Sequence, residues 1–156
     1  MKDTMKWFLI ISCILLVLAV AYYFFLLRNP GTLKTRHVTI GTHDVAVEIA
    51  DTDAARAQGL SGREGLQDGH GMLFVFGAPG RYGFWMKDMK FTIDIIWILG
   101  DRVAGIAEHI APEPGKSIFT LTNYYPPETA DKVLELGAGA ARANGIAVGD
   151  KVRFDL

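Results

Sequence analysis

The chain has 156 residues, half of them apolar, a net charge of −1 and one cysteine, Cys13. That length suits a single domain with a real core. The lone cysteine excludes an intrachain disulfide and a thiolate metal site. From residue 29 onward 13 basic residues face 16 acidic ones, a net −3 that is unlike the basic stripe of a nucleic-acid binder.

Residues 1–6 form a short tail. Trp7 to Leu27 then run without a charge, and as a helix that stretch spans about 31 Å, close to the ~30 Å of bilayer hydrocarbon. Trp7, Tyr22 and Tyr23 lie towards its ends, where amphipathic rings favour the headgroups. The expectation is an uncleaved single-pass signal-anchor, with the C-terminal domain outside the cytoplasm, periplasmic or extracellular. Ala19-Val20-Ala21 leaves cleavage open as an alternative. Residues 28–36 read as a tether, with Asn29-Pro30-Gly31 breaking the helix.

Residues 37–156 read as one β-rich globular domain. Two strand runs from His37 to Ala50 flank Gly41-Thr42, a two-residue type II′ hairpin signal. Thr52 or Asp53 caps a short helix to Gln58, closed by Gly59. Met72 to Phe76 reads as a buried strand, followed by a turn at Ala78-Pro79-Gly80. Strands are expected at Tyr82–Met86, Thr92–Leu99 and Arg102–Ile110, the last two joined by a turn at Gly100-Asp101. Prolines 112, 114, 126 and 127 mark a loop region. Lys132–Leu136, a helix at Ala138–Asn144 and Lys151–Phe154 close the chain. The expected fold is therefore α+β, a mostly antiparallel sheet, barrel-like or strongly curved, with two short helices after one transmembrane helix. Val47–Leu60 echoes Val133–Ile146, each a strand with one Glu, an Ala-Ala-Arg helix and a closing glycine. Either such helices are merely common, or a strand–helix unit is repeated; the echo would pair Glu48 and Glu135 with Arg56 and Arg142.

Several motifs occur in order: Arg56-Ala-Gln-Gly-Leu60, Gly71-Met-Leu-Phe-Val-Phe76, Phe84-Trp-Met-Lys-Asp-Met-Lys-Phe-Thr-Ile-Asp-Ile-Ile-Trp-Ile98, Val133-Leu-Glu-Leu-Gly-Ala-Gly139 and Gly145-Ile-Ala-Val-Gly-Asp150. In these the chain resembles domain-of-unknown-function family 192, over about residues 43 to 154. The resemblance implies a small prokaryotic β-rich domain, often secreted or membrane-anchored, and brings no catalytic residue. Two departures stand out: Ser61 where the family usually has Met, and Asp88 where it often has Asn.

Candidate site residues come from the central segment. If the Gly100-Asp101 turn fixes the register, Leu99 faces Arg102, Thr92 faces His109, and Asp94 lies opposite Ala107 and diagonal to His109. Phe91, Ile93, Ile95, Trp97 and Leu99 then form the core stripe. A carboxylate among apolar neighbours is costly unless paired, so Asp94 either fixes register through a buried bond or orients His109 or Lys87 at a cleft. Lys87 and Asp88 fall in a connection where binding residues are often displayed, and Trp85 could floor a pocket. The reading is a binding module for a small polar ligand or an envelope partner, with ligand-binding candidates Trp85, Lys87, Asp88, Asp94 and His109. The alternatives are an extracytoplasmic enzyme using Asp94 with His109 or Lys87, and a structural scaffold of the cell envelope. The four histidines lack ligand spacing, so neither metal nor cofactor is expected, and nucleic acid is not an expected partner.

Overall fold

The computed structural model describes the backbone of residues 2–28 and 33–155, with side chains apart from those of 2–5, 8, 9 and 24–28. It divides into two units at Thr32 and Leu33, close to the expected tether.

The first unit is a helix, α1 (Lys2–Arg28). Its described apolar side chains are exposed, among them Ile11, Leu16, Val17 and Tyr22. Among the described residues no helix is long and apolar enough to cross a membrane. The transmembrane helix expected over residues 7–27 is therefore not found there. The longest stretch of α1 with described side chains, residues 10–23, is shorter than the ~20 residues a bilayer requires.

The second unit is a seven-stranded sheet in the order β5-β4-β6-β3-β2-β1-β7. The strands are β1 (Thr35–Ile40), β2 (His43–Ala50), β3 (His70–Gly80), β4 (Ile93–Leu99), β5 (Arg102–Ile110), β6 (Ala130–Gly137) and β7 (Val152–Asp155), with α2 (Asp53–Gln58) and α3 (Ala140–Ala143) between them. β1 and β2 form the expected hairpin, pairing Ile40 with His43 around Gly41, whose φ of +60° a type II′ turn requires. The sheet is mixed: β2 and β3 run parallel, because α2 and the loop after it carry the chain back along the same direction. The other pairs are antiparallel. The sheet curls until its edge strands meet at one end, where Val103 N–H donates to Asp150 O (3.0 Å) and Val152 N–H to Asp101 O (2.8 Å).

Three local expectations are corrected. Tyr82–Met86 is a loop whose strand-like pairing among the described residues is the bridge Phe84–Tyr124. β3 continues through Ala78-Pro79 to Gly80 across an irregularity in its pairing with β6; Pro79 lacks an N–H, so such a position suits it. The β4–β5 register starts as expected at Leu99–Arg102 and slips twice, so that Ala107 faces Ile95 and Ile110 faces Ile93. His109, at φ +57°, sits in the second irregularity.

Both faces of the sheet are buried. Ile96, Ile98, Leu73, Leu134 and Leu136 pack on one side with Val38, Val45 and Ala141 of α3. Ile93, Ile95, Trp97, Met72, Phe74 and Val133 pack on the other with Ala55 of α2, Leu60, Phe84 and Met86. The echoed units are thus alike locally, each with a buried alanine and a left-handed closing glycine (Gly59, φ +50°; Gly145, φ +61°). They pack against opposite faces. The expected Glu–Arg partners do not meet. Arg56 pairs with Asp53, Arg142 with Glu108, and Glu48 takes Arg63 in a two-pronged bond of 2.6 and 2.7 Å. Leu99, placed in the core stripe by alternation, is exposed at the turn.

Candidate functional site

The expected groove is not assembled. Asp94 is fully buried on the α3 side of the sheet, and its two oxygens accept backbone N–H groups of His109 (2.9 Å) and Ala141 (3.0 Å). Gly139, which precedes α3, has no side chain to cap the helix. Asp94 does that work from a neighbouring strand, and it also holds the β5 irregularity at His109. The bland reading of this carboxylate, a buried bond that fixes register, is the one its geometry fits. It meets His109 through the backbone, and the imidazole is exposed. Lys87 and Asp88 lie beside a shallow hollow of about 120 Å³, shared with Glu113, Lys116, Ile118 and Leu121. Asp88 has φ +54°, a conformation that Asn and Asp tolerate best. That backbone shape accounts for an Asp at this turn, where its carboxylate also lies 3.9 Å from Lys87 Nζ. Ser61 uses its hydroxyl to hold the Lys87 carbonyl (2.8 Å).

A different arrangement forms on the opposite face. β3 alternates, so Phe74 and Phe76 point to the α2 side, and β6 alternates likewise, carrying Glu135 to that side next to Val133. The loop 82–89 folds over them, held by the Phe84–Tyr124 bridge and by Gly62 N–H donating to Asp88 O (2.8 Å). Between α2, β3, β6 and this loop lies a cavity of about 280 Å³, lined by residues that include Phe74, Phe76, Tyr82, Phe84, Trp85 and Glu135. That is the small end of the ~300–1,000 Å³ typical of ligand sites. Phe76 and Tyr82 stack with centroids 3.7 Å apart, and Phe84 stands edge-on to Phe74 at 5.0 Å. Of the expected residues only Trp85 reaches this cavity, half-exposed.

Glu135 is 5% exposed, and its carboxyl has no hydrogen bond or ion pair with any described residue. Burial pushes its pKa up to about 8 from an ordinary 4.5, because a charge removed from water without a partner is disfavoured. Among the described residues no group of three or more His, Cys, Asp or Glu is placed to hold a metal ion.

A family model described as DUF192, an uncharacterized conserved family, matches residues 36–154. Two crystal structures are similar to this chain. One is of a candidate transcription regulator from Sinorhizobium meliloti 1021, at 28% identity and a TM-score of 0.72, covering 80% of this chain and 96% of that one. The other is of a protein of unknown function from Novosphingobium aromaticivorans DSM 12444, at 30% identity and a TM-score of 0.70, covering 82% and 96%. No curated protein matches the chain.

Proposed function

Because the chain belongs to domain-of-unknown-function family 192, membership supplies a fold and no reaction, and we propose from the site itself that this is a small-ligand binding domain whose pocket is floored by Glu135. One observation carries the reading: a carboxyl almost wholly buried, partnerless among the described residues, at the base of an aromatic cavity. A carboxyl that gives up most of its water without a protein partner costs about 1–3 kcal/mol, more when charged, and the Glu135 oxygens open onto the cavity. A ligand that completes the bond recovers that cost. Catalysis by Asp94 with His109 loses its support, because both Asp94 oxygens are committed to backbone N–H groups.

A screen of small polar fragments against the full chain, read by backbone amide chemical shifts, tests the pocket. Hits are expected to perturb Phe74, Phe76, Trp85 and Glu135 together. Hits that map only to other surfaces, or no hits at millimolar concentration, would remove the reading.

We further place the domain at a membrane through residues 7–27, on the outer side. The support is the uncharged run from Trp7 to Leu27 and the exposure of the described apolar side chains of α1. A helix that is apolar all round needs a non-aqueous environment. An alkaline phosphatase fused after Leu156 is expected to be active, and the chain should resist extraction from membranes by carbonate. A soluble chain, or an inactive fusion, would overturn this placement.

A further inference from the structure

The polar groups around the cavity narrow what it can hold. Asp53 is taken by Arg56, and Arg56 also donates to the carbonyls of Asp51 and Val75, both at 2.7 Å. The Gln58 amide donates to Ser61 O (2.9 Å), the Ser61 hydroxyl to Lys87 O (2.8 Å) and the Tyr82 hydroxyl to Ala78 O (2.8 Å). Each lining Asp, Arg, Gln, Ser and Tyr side chain thus has a bond inside the protein, and among the described residues Glu135 is the lining carboxyl without one. Five aromatic rings, with Leu60 and Met89, supply most of the apolar wall. An anion would find no free counter-charge in the wall, because Arg56 is already paired with Asp53. A sugar would need several hydrogen-bonding partners that the wall has already committed. A purely apolar ligand would seal the carboxyl away from water with nothing to bond it.

Resting on the binding reading above, we propose that the pocket takes the cationic head of a small organic ammonium compound, seated against the aromatic rings with Glu135 as its counter-charge. Cations are attracted to aromatic faces, and more strongly where water is excluded. The wall already holds one example, since the Arg56 guanidinium lies 5.5 Å from the Phe76 ring centroid. That cation belongs to the Asp53 pair at the rim and does not neutralise the floor. The volume of about 280 Å³ suits a compact head of this kind rather than a long chain.

A proton signature follows. The other titratable groups of the wall are Asp53 and Arg56, which pair with one another, and Tyr82, whose hydroxyl donates to Ala78 O, and burial moves Glu135 into the range between pH 5 and 9. In the empty pocket Glu135 is mostly protonated at pH 7, and a bound cation draws it into the ionised form. Binding therefore releases a proton, and affinity climbs about tenfold per pH unit up to about 8, then levels.

The test uses the full chain in an uncharged maltoside detergent, titrated calorimetrically with choline and with its neutral carbon isostere, 3,3-dimethylbutan-1-ol. Choline is expected to bind about tenfold or more tightly than the alcohol. In buffers of differing ionisation enthalpy it should release close to one proton at pH 7. Glu135→Gln should abolish the preference and the proton release. Trp85→Ala, at the exposed rim where folding is not at stake, should weaken choline several-fold. Equal binding of the two probes, or binding of neither while uncharged fragments still map to the pocket, overturns the cation and leaves the pocket standing. Failure of the fragment mapping removes the pocket itself, so the two failures are distinct.

Discussion

Glu135→Gln is expected to stabilise the β domain at pH 9 by about 3–5 kcal/mol and to change it little at pH 5. In the unfolded chain this carboxyl titrates near its ordinary 4.5, and in the folded one near 8. Between those values the folded state holds about one more proton than the unfolded state, so stability falls as pH rises, by about 1.4 kcal/mol per unit. Below about 4.5 both states are protonated and above about 8 both are ionised, and the slope vanishes at either end. Glutamine is close in shape to the protonated acid and does not titrate. Subtracting the variant's thermal unfolding curve from the native one isolates this single group at each pH. The melting temperatures should coincide near pH 5 and separate by on the order of 10 °C at pH 9. Parallel curves across that range would show that Glu135 is ionised or solvated in the fold, and the pocket would lose its distinguishing feature.

Much of the architecture is legible in the residues because local signals dominate it. The hairpin at Gly41, the capped helix from Asp53 and the closing glycine at Gly59 are set by neighbours in sequence, and they fall where turn and capping chemistry puts them. The parallel pairing of β2 with β3 is not local, and nothing in either strand's alternation announces direction. The register of β4 with β5 fails for a more instructive reason. Counting from the turn assumes an unbroken ladder, and the ladder slips first between Trp97 and Ile98 and again where Asp94 bonds the His109 N–H. The second slip lies at the very residue whose position was to be deduced. Glu135 carries the same sequence signal as Asp94, an acid inside an apolar strand, but the echo with Val47–Leu60 suggests an arginine partner for it. The repeat is real in each helix and its closing glycine. It does not extend to the partners, because the two copies pack on opposite faces of the sheet. No pattern in the sequence states which of two buried acids is satisfied. That depends on which backbone N–H groups the fold brings near, and Asp94 receives two where Glu135 receives none.

Asp94 should accordingly behave as a structural group, and truncating it should cost more than truncating the exposed or half-exposed side chains Trp85, Lys87, Asp88 or Lys90. Asp94→Ala leaves two N–H groups without acceptors, that of His109 in a half-buried place and that of Ala141 in a buried one. At about 1–3 kcal/mol for each, the loss is about 2–6 kcal/mol, a large part of the roughly 5–15 kcal/mol that holds a domain of this size. Asp94→Asn is the sharper probe. Its amide keeps one acceptor oxygen and turns an NH₂ towards the second donor, so one bond survives while the other becomes a clash of donors. A drop of about 1–3 kcal/mol is expected, with faster hydrogen exchange at His109 or Ala141, whichever amide faces the NH₂. Lys87→Ala, on the half-exposed loop, should stay within about 0.5 kcal/mol and serves as the control. The localisation of the exchange matters more than the size of the drop. A general loosening of the sheet would accelerate many amides, whereas loss of this bond frees a single site first. If Asp94→Asn melts with the native protein and both amides stay protected, the carboxylate is not what pins the β5 irregularity to α3. The slipped register between β4 and β5 would then have to be held by packing of Ile93 against Ile110 alone.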